Sequence, residues 1–118
     1  MDRIRFVTYR EQRILLLDFT NCRAEEVATV SDQVPTVVTS EPAASLLVVA
    51  DFTGAEFTRE AVERIKIATA LDRAHVRRSA WVLDDNLPKP LYDSIRSFSA
   101  REFPVFATRE EAFDYIVS

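Results

Sequence analysis

Three apolar strand-like segments, each followed by a segment of helical periodicity, constrain the fold of this chain more than any other feature. They lie at Ile14–Leu17, Ser45–Ala50 and Val76–Leu83. A strand that is apolar on both faces is typical of the middle of a sheet that helices cover on both sides. Alternation of such strands with amphipathic helices predicts a parallel sheet joined by right-handed crossovers.

The complete pattern predicts an α/β fold with a five-stranded mixed, mostly parallel sheet in the order β-β-α-β-α-β-α-β-α. The first strand is expected to form a hairpin with the second and to lie antiparallel at or near an edge. Strands are predicted at 4–9, 13–19, 45–51, 76–83 and 103–106, and helices at about 21–38, 58–71, 88–98 and 108–117. Leu16, Val48 and Val82 are expected in the core.

Side-chain patterns also predict how the helices begin and where they lie. Asn21 is a suitable cap for the first helix, and Pro35 predicts a kink or a break around Val34 because proline lacks the N–H that a helix uses. In the second helix Leu71 continues the core-facing series of apolar residues, and in the third helix Phe98 does the same.

Composition indicates one folded domain over residues 1–118, with 47% hydrophobic and 29% charged residues. A net charge of −4 and scattered basic residues exclude the positive field that nucleic-acid binding requires. The sequence shows neither an apolar run near the ~20 residues of a membrane span nor a signal peptide, so a cytoplasmic protein is expected. Cys22 and His75 are the only residues of their types, and no cofactor is expected.

The only glycine, Gly54, stands just past the carboxyl end of a buried strand, in Asp51-Phe52-Thr53-Gly54. In open α/β sheets ligands bind beyond the strand carboxyl ends, and glycine there permits positive φ or a close approach of the backbone. The alternative is a strand-to-helix turn that needs one glycine, in which the Thr53 hydroxyl bonds a backbone N–H of residues 54–56.

This loop and the element order resemble the anti-sigma-factor-antagonist (STAS) domain, in which an Asp-Ser-Ser-Gly-type loop holds a phosphorylated residue. Residues 16–21, 51–57 and 106–112 more closely resemble a bacterial STAS/SEC14-like group of mostly uncharacterised single-domain proteins. The resemblance implies that Thr53 is the phospho-acceptor, near a helix N-terminus that favours the added charge. Phe52 departs from the family pattern, which has a small polar residue there.

Asp18, Asp51 and Asp84 each end a predicted parallel strand, so their carboxylates are expected at one crevice. Clustered carboxylates hold hard cations, whereas aspartates at strand ends commonly cap the following turn. The sequence has no phosphate loop, nucleophile elbow or cysteine pair beside them. We therefore expect no catalytic residue and no bound metal.

Three functions stay open. The resemblance implies a non-enzymatic regulatory or protein-interaction module that binds a protein partner through the Thr53-Gly54 loop and the following helix. The second function is binding of a small apolar or lipid-like ligand in a SEC14-like pocket, although core packing explains the aromatic residues of the C-terminal half more simply. The third is a metal-dependent enzyme that uses the strand-end aspartates. A homodimer is also left open.

Overall fold

The computed structural model describes residues 3–118 and confirms the predicted α/β class and element order. The strands are β1 (Ile4–Tyr9), β2 (Gln12–Asp18), β3 (Leu46–Asp51), β4 (Val76–Val82) and β5 (Val105–Phe106); the helices are α1 (Ala24–Val38), α2 (Arg59–Asp72), α3 (Lys89–Ser99) and α4 (Arg109–Ile116). The spatial order of the sheet is β1-β2-β3-β4-β5. β1 is antiparallel to β2 at one edge, and the remaining pairs are parallel.

Helices cover both faces of the sheet, as the apolar strands predict. Leu15 of β2 and Val48 of β3 belong to the core cluster under α1, α2 and α3, whereas Leu16 and Val49 pack in a second cluster under α4. Leu16, Val48 and Val82 are all 6% exposed or less, which confirms their predicted place in the core. Within residues 3–118 no helix combines the length and apolar character that a membrane crossing requires.

Helix α1 differs from the prediction at its start and at Pro35, and it ends at Val38 as predicted. Asn21 is not its cap: the helix begins at Ala24, the N-cap is Arg23, and the Glu26 carboxylate accepts a hydrogen bond from the Arg23 N–H at 3.0 Å. Asn21 has a φ of 56° and belongs to the preceding turn. The helix also continues through Pro35 without a break, because this proline lies in the last turn, where few further helical bonds depend on it.

The buried faces of α2 and α3 are the predicted ones except at the last apolar residue of each helix. Val62, Ile65 and Ala68 of α2 are buried as predicted. The inward residues of α2 include Ala68 and Asp72, and Leu71 is 55% exposed. In α3 the inward residue is Ile95, and Phe98 is 58% exposed. An aspartate therefore takes the buried position at the end of α2, and two large apolar side chains face outward.

Strand β5 is shorter than the predicted 103–106. Pro104 has no N–H to extend the ladder, although its carbonyl accepts a hydrogen bond from the Trp81 N–H at 2.8 Å. Phe103 turns into the core, where its ring stacks on Trp81 at 4.4 Å between centroids. The β4 residues ahead of Trp81 are thus left without a strand partner on that side.

Candidate functional site

Two turns that begin with the same tripeptide, Asp-Phe-Thr, and have the same geometry follow the neighbouring strands β2 and β3. After β2, the Asp18 Oδ1 atom accepts hydrogen bonds from the backbone N–H of Thr20 at 3.1 Å and from its hydroxyl at 2.6 Å. After β3, Asp51 Oδ1 accepts the same two bonds from Thr53, at 3.0 Å and 2.7 Å. Such short polar side chains hold the backbone in a turn. We call residues 18–21 and 51–54 the twin turns.

The twin turns are hydrogen-bonded to each other at the carboxyl ends of β2 and β3. The Phe19 N–H donates to the Asp51 carbonyl and the Asn21 N–H donates to the Thr53 carbonyl, both at 2.8 Å. Beneath them the rings of Phe19 and Phe52 stack with centroids 4.6 Å apart. The two turns therefore form one ordered surface, with its polar groups toward solvent and its aromatic groups in the core.

Gly54 is required by this arrangement. Its φ is 72°, which strains any residue with a Cβ, and a Cβ built at this position would lie 2.2 Å from the Asn21 Oδ1 atom. Asn21 holds the corresponding position of the other turn with a φ of 56°. The asparagine side chain thus occupies the space that the missing glycine side chain leaves.

Arg109, at the start of α4, connects the two aspartates. Its Nε atom donates to Asp51 Oδ2 at 2.8 Å, and its Nη2 atom lies 3.5 Å from Asp18 Oδ1. Asp51 is 4% exposed, so this contact neutralises a buried carboxylate. Arg5 also donates to Asp18, at 3.2 Å. Burial opposes ionisation of Asp18, but the bonds from Thr20 and the arginine charges hold its pKa below the ordinary value.

The end of β4 supplies the third part of the surface. The Gly54 N–H donates to Asp84 Oδ2 at 3.1 Å. The Asn86 side-chain amide donates to the carbonyls of Phe52 at 2.9 Å and Ala55 at 2.7 Å. Asp18, Asp51 and Asp84 thus lie at the carboxyl ends of β2, β3 and β4, and each is hydrogen-bonded to a turn. Among residues 3–118 no group of three or more histidine, cysteine, aspartate or glutamate side chains is placed to hold a metal ion.

Thr53 is half-buried at the crest of its turn, with its hydroxyl donating to Asp51. The predicted bond between this hydroxyl and a backbone N–H of residues 54–56 is wrong, because those N–H groups donate to Asp84, to the Phe52 carbonyl and to the Cys22 carbonyl. Thr53 does not lie in the first turn of α2, which begins at Arg59. Phe52 is 2% exposed and packs on Trp81, so it is a core residue.

The sequence predictions did not include Arg109, Thr20 or Asn21 at this surface. A signal for the second turn was present, because the tripeptide Asp-Phe-Thr occurs at 18–20 and again at 51–53, each time at the end of an apolar strand. No such signal marks Arg109. Its contact with Asp51 depends on where α4 crosses the sheet.

No family model, curated protein or solved structure matches this chain. The resemblance to the STAS group therefore stays a prediction, and functional inference rests on the geometry of the chain itself.

Proposed function

We propose that this protein is a non-enzymatic regulatory or protein-interaction module of STAS type, which binds a protein partner through the twin turns and the outer face of α2. The observation that carries the proposal is the exposure of large apolar side chains on neighbouring helices. Ile67 and Leu71 of α2 are 50% and 55% exposed, and Phe98 of α3 is 58% exposed. Ile67 and Leu71 are one helical turn apart and so share one face.

These side chains belong to one region of the surface. The Lys66 ammonium group lies 5.6 Å from the centroid of the Phe98 ring, which brings the outer part of α3 next to α2. Exposed apolar groups that cluster, with charged residues around them, are typical of protein-binding surfaces. Helix α2 leads from the loop after the twin turns to this patch, so one partner can contact both.

The chemistry of the twin turns supports binding better than catalysis. Both carboxylate oxygens of Asp51 are engaged, Oδ1 by Thr53 and Oδ2 by Arg109. A carboxylate whose oxygens accept these bonds from fixed groups is poorly placed to take a proton from a substrate. The exposed groups at this surface include the Gly54 backbone and the Asp84 side chain, which suit recognition of a partner.

Phosphorylation of Thr53 is the proposed switch. A phosphoryl group adds about −1.5 to −2 charges and would lie beside Asp51, the residue that holds Arg109. Repulsion between the two anions and attraction of the guanidinium to phosphate would both weaken the Arg109–Asp51 contact. The modification would therefore alter both the surface of the twin turns and the contact between Arg109 of α4 and Asp51.

Cavity size favours this proposal over an apolar ligand. An apolar cavity of about 40 Å³ lies between the sheet and helices α1 and α2, lined by residues that include Phe52 and Trp81. Ligand sites for drug-sized or lipid-like molecules measure roughly 300–1,000 Å³. The aromatic side chains around this cavity fill the core, with Phe52 and Trp81 at 2% and 3% exposure.

Affinity capture from host lysate tests the proposal, with the wild type and Leu71→Asp as bait. Val105→Asp is the matched control, because Val105 is also exposed, at 46%, but lies on β5 away from α2. We expect a partner that the wild type and Val105→Asp retain and Leu71→Asp loses. Identical partner profiles for all three baits would contradict the assignment of this face.

A second comparison tests the switch. Thr53→Glu adds negative charge at the crest, whereas Thr53→Ala does not, so we expect only the glutamate variant to change the set of captured partners. Phosphopeptide mapping of the protein from its host is the independent measurement. Equal capture by both variants, together with an unmodified Thr53 peptide, would contradict the switch and leave the interaction surface unaffected.

A further inference from the structure

A depression of about 300 Å³ lies at the opposite end of β4 from the twin turns, and its position marks an open strand edge. Its lining includes Val76, Arg77, Arg78 and Ser79 of β4, together with Arg101 and Glu102. Four of these residues are successive in β4. The register of β4 against β3 shifts between Val76 and Arg78, which interrupts the alternation of side chains there. All four residues precede Trp81, the first β4 residue that pairs with β5.

The backbone of this edge is available for pairing. β5 pairs with β4 only at Trp81 and Val82. The N–H groups of Trp81 and Leu83 point toward β5, where they donate to the carbonyls of Pro104 and Phe106 at 2.8 Å and 3.1 Å. The direction of backbone groups in a strand repeats every two residues, so the N–H and C=O of Ser79 also point toward the β5 side. Pro104 has no N–H that could donate to the Ser79 carbonyl.

Arginine side chains give the depression a strong positive charge. Arg73, Arg77, Arg78 and Arg101 line it, against a single acid, Glu102, in a chain whose net charge is −4. Within residues 3–118 none of these four guanidinium groups forms an ion pair, whereas Glu102 pairs with Arg96 at 3.1 Å. The Asp72 carboxylate interacts electrostatically with Arg101, and Arg78 donates to the Ser118 carbonyl at 2.7 Å. Arg73 and Arg77 are therefore the two whose charges no side chain of residues 3–118 is seen to compensate.

Two of the arginines are held in place and two extend into solvent. Arg101 donates to the Thr69 carbonyl at 2.9 Å and to the Ser79 hydroxyl at 3.3 Å. The Arg78 guanidinium lies 4.7 Å from the Tyr115 ring centroid. Arg73 and Arg77 are exposed. Fixed guanidinium groups beside an open strand edge are preorganised to bind carboxylates, since each presents several donors in a rigid fork.

We propose that this open edge of β4 binds an extended acidic peptide segment of a partner protein, which adds as a strand beside Ser79 while its carboxylates contact the surrounding arginines. Main-chain bonds would supply part of the affinity, and the charges would select acidic over basic sequences. The site lies at the opposite end of β4 from the twin turns, and strand addition there does not require the function proposed for them. It borders the C-terminal end of α2, because Arg73 follows that helix and Arg101 donates to the Thr69 carbonyl.

Fluorescence anisotropy with a labelled synthetic peptide of alternating glutamate and threonine tests the proposal. We expect saturable binding by the wild type, weaker binding at higher salt, and roughly tenfold weaker binding by Arg77→Glu. Arg59→Glu is the matched control, because Arg59 is also exposed but lies at the start of α2. Absence of binding, or equal loss in both variants, would overturn the site.

Two further peptides separate strand addition from general attraction between charges. A peptide with lysine in place of glutamate should not bind. Two versions of the acidic peptide carry N-methyl groups on alternate residues, one on the odd and one on the even positions. Only the version that replaces the N–H groups facing β4 should bind much more weakly, because the N–H groups of neighbouring strand residues point to opposite sides. Equal binding of the two methylated peptides would overturn strand addition. Displacement of the labelled acidic peptide by pyrophosphate alone, at the same concentration as the unlabelled peptide requires, would also overturn it. Protection of the Ser79 amide from hydrogen exchange on binding would support it.

Discussion

The Nε atom of Arg109 donates to the buried Asp51 carboxylate at 2.8 Å, and this bond fixes the start of α4 to the end of the central strand. The two residues are 58 positions apart in sequence. Arg109 also reaches Asp18, so one guanidinium serves both twin turns. The contact therefore joins the proposed interaction surface to the helix that covers the second face of the sheet.

We expect Arg109→Ala to lower the free energy of unfolding by about 2–4 kcal/mol, because it leaves the buried Asp51 carboxylate without its cation. Urea unfolding measures this change. Arg23→Ala is the control, since Arg23 and its partner Glu25 are 74% and 73% exposed and such pairs contribute less than about 1 kcal/mol. Similar losses in the two variants would show that the Arg109 contact is a surface ion pair.

Gly54→Ala should cost about 1–2 kcal/mol, mainly because alanine is strained at a φ of 72°. The added methyl group would also displace the Asn21 side chain. Asn21→Gly is the matched control: glycine tolerates the φ of 56° at that position, so we expect a change below about half a kcal/mol. A wild-type urea midpoint for Gly54→Ala would contradict the turn geometry.

Leu16→Ala is expected to destabilise the fold by about 2–5 kcal/mol, because Leu16 is 1% exposed and its removal leaves a cavity between β2 and α4. Val48→Ala tests the other face of the sheet in the same way. Leu71→Ala removes the same atoms from a side chain that is 55% exposed, so it should cost less than about half a kcal/mol. Equal costs for the two leucines would contradict the burial pattern.

The strands were the most predictable part of this fold. Ile14–Leu17 and Leu46–Ala50 are apolar at every position, and a short apolar run of this length is typical of a strand covered on both faces. The placement of Leu71 was less predictable. Leu71 and Asp72 both fit the helical period of the buried residues, and a small rotation of α2 decides which of the two is buried. Local sequence does not determine that rotation; packing of α2 against α1 and α3 does.

The candidate site was predictable only in part. Asp18, Asp51 and Asp84 could be placed at one edge from the strand order, since parallel strands end together. Their partners could not be placed in this way. Arg109 reaches Asp51 through the crossing of α4, and the use of the Gly54 N–H by Asp84 depends on the loop after β4. Such contacts follow from tertiary packing and carry no sequence period.

Thr53→Val should lower stability by about 1 kcal/mol, because valine has a similar shape but removes the hydroxyl that donates to Asp51. Thr20→Val is the internal comparison, since Thr20 makes the same bond to Asp18. The loss at Thr53 should be the larger one, because Asp51 is more buried than Asp18. Urea unfolding of both variants, with circular dichroism as the readout, measures the difference, and an unchanged stability would remove the structural role of the hydroxyl.

Asp72 gives the fold a pH dependence of known sign. Its side chain is buried, and burial raises its pKa to about 6, although the charges of Arg101 and His75 act in the opposite direction. Asp72 therefore binds its proton more tightly in the folded chain than in the unfolded chain. The resulting stabilisation is complete below the ordinary pKa of 3.8 and is lost as the pH rises through about 6.

Asp72→Asn isolates this contribution, because asparagine has the same shape and does not titrate. Relative to that variant, the wild type should gain about 1 kcal/mol of unfolding free energy when the pH is lowered from about 7.5 to about 5. Asp18 does not interfere in this window: its lowered pKa contributes stability that is lost only at more acidic pH. Comparison with the variant also cancels the titration of groups that both proteins share and that do not interact with Asp72. Urea unfolding curves at the two pH values provide the measurement, and parallel pH dependences of wild type and variant would show that Asp72 has an ordinary pKa and is solvated in the folded protein.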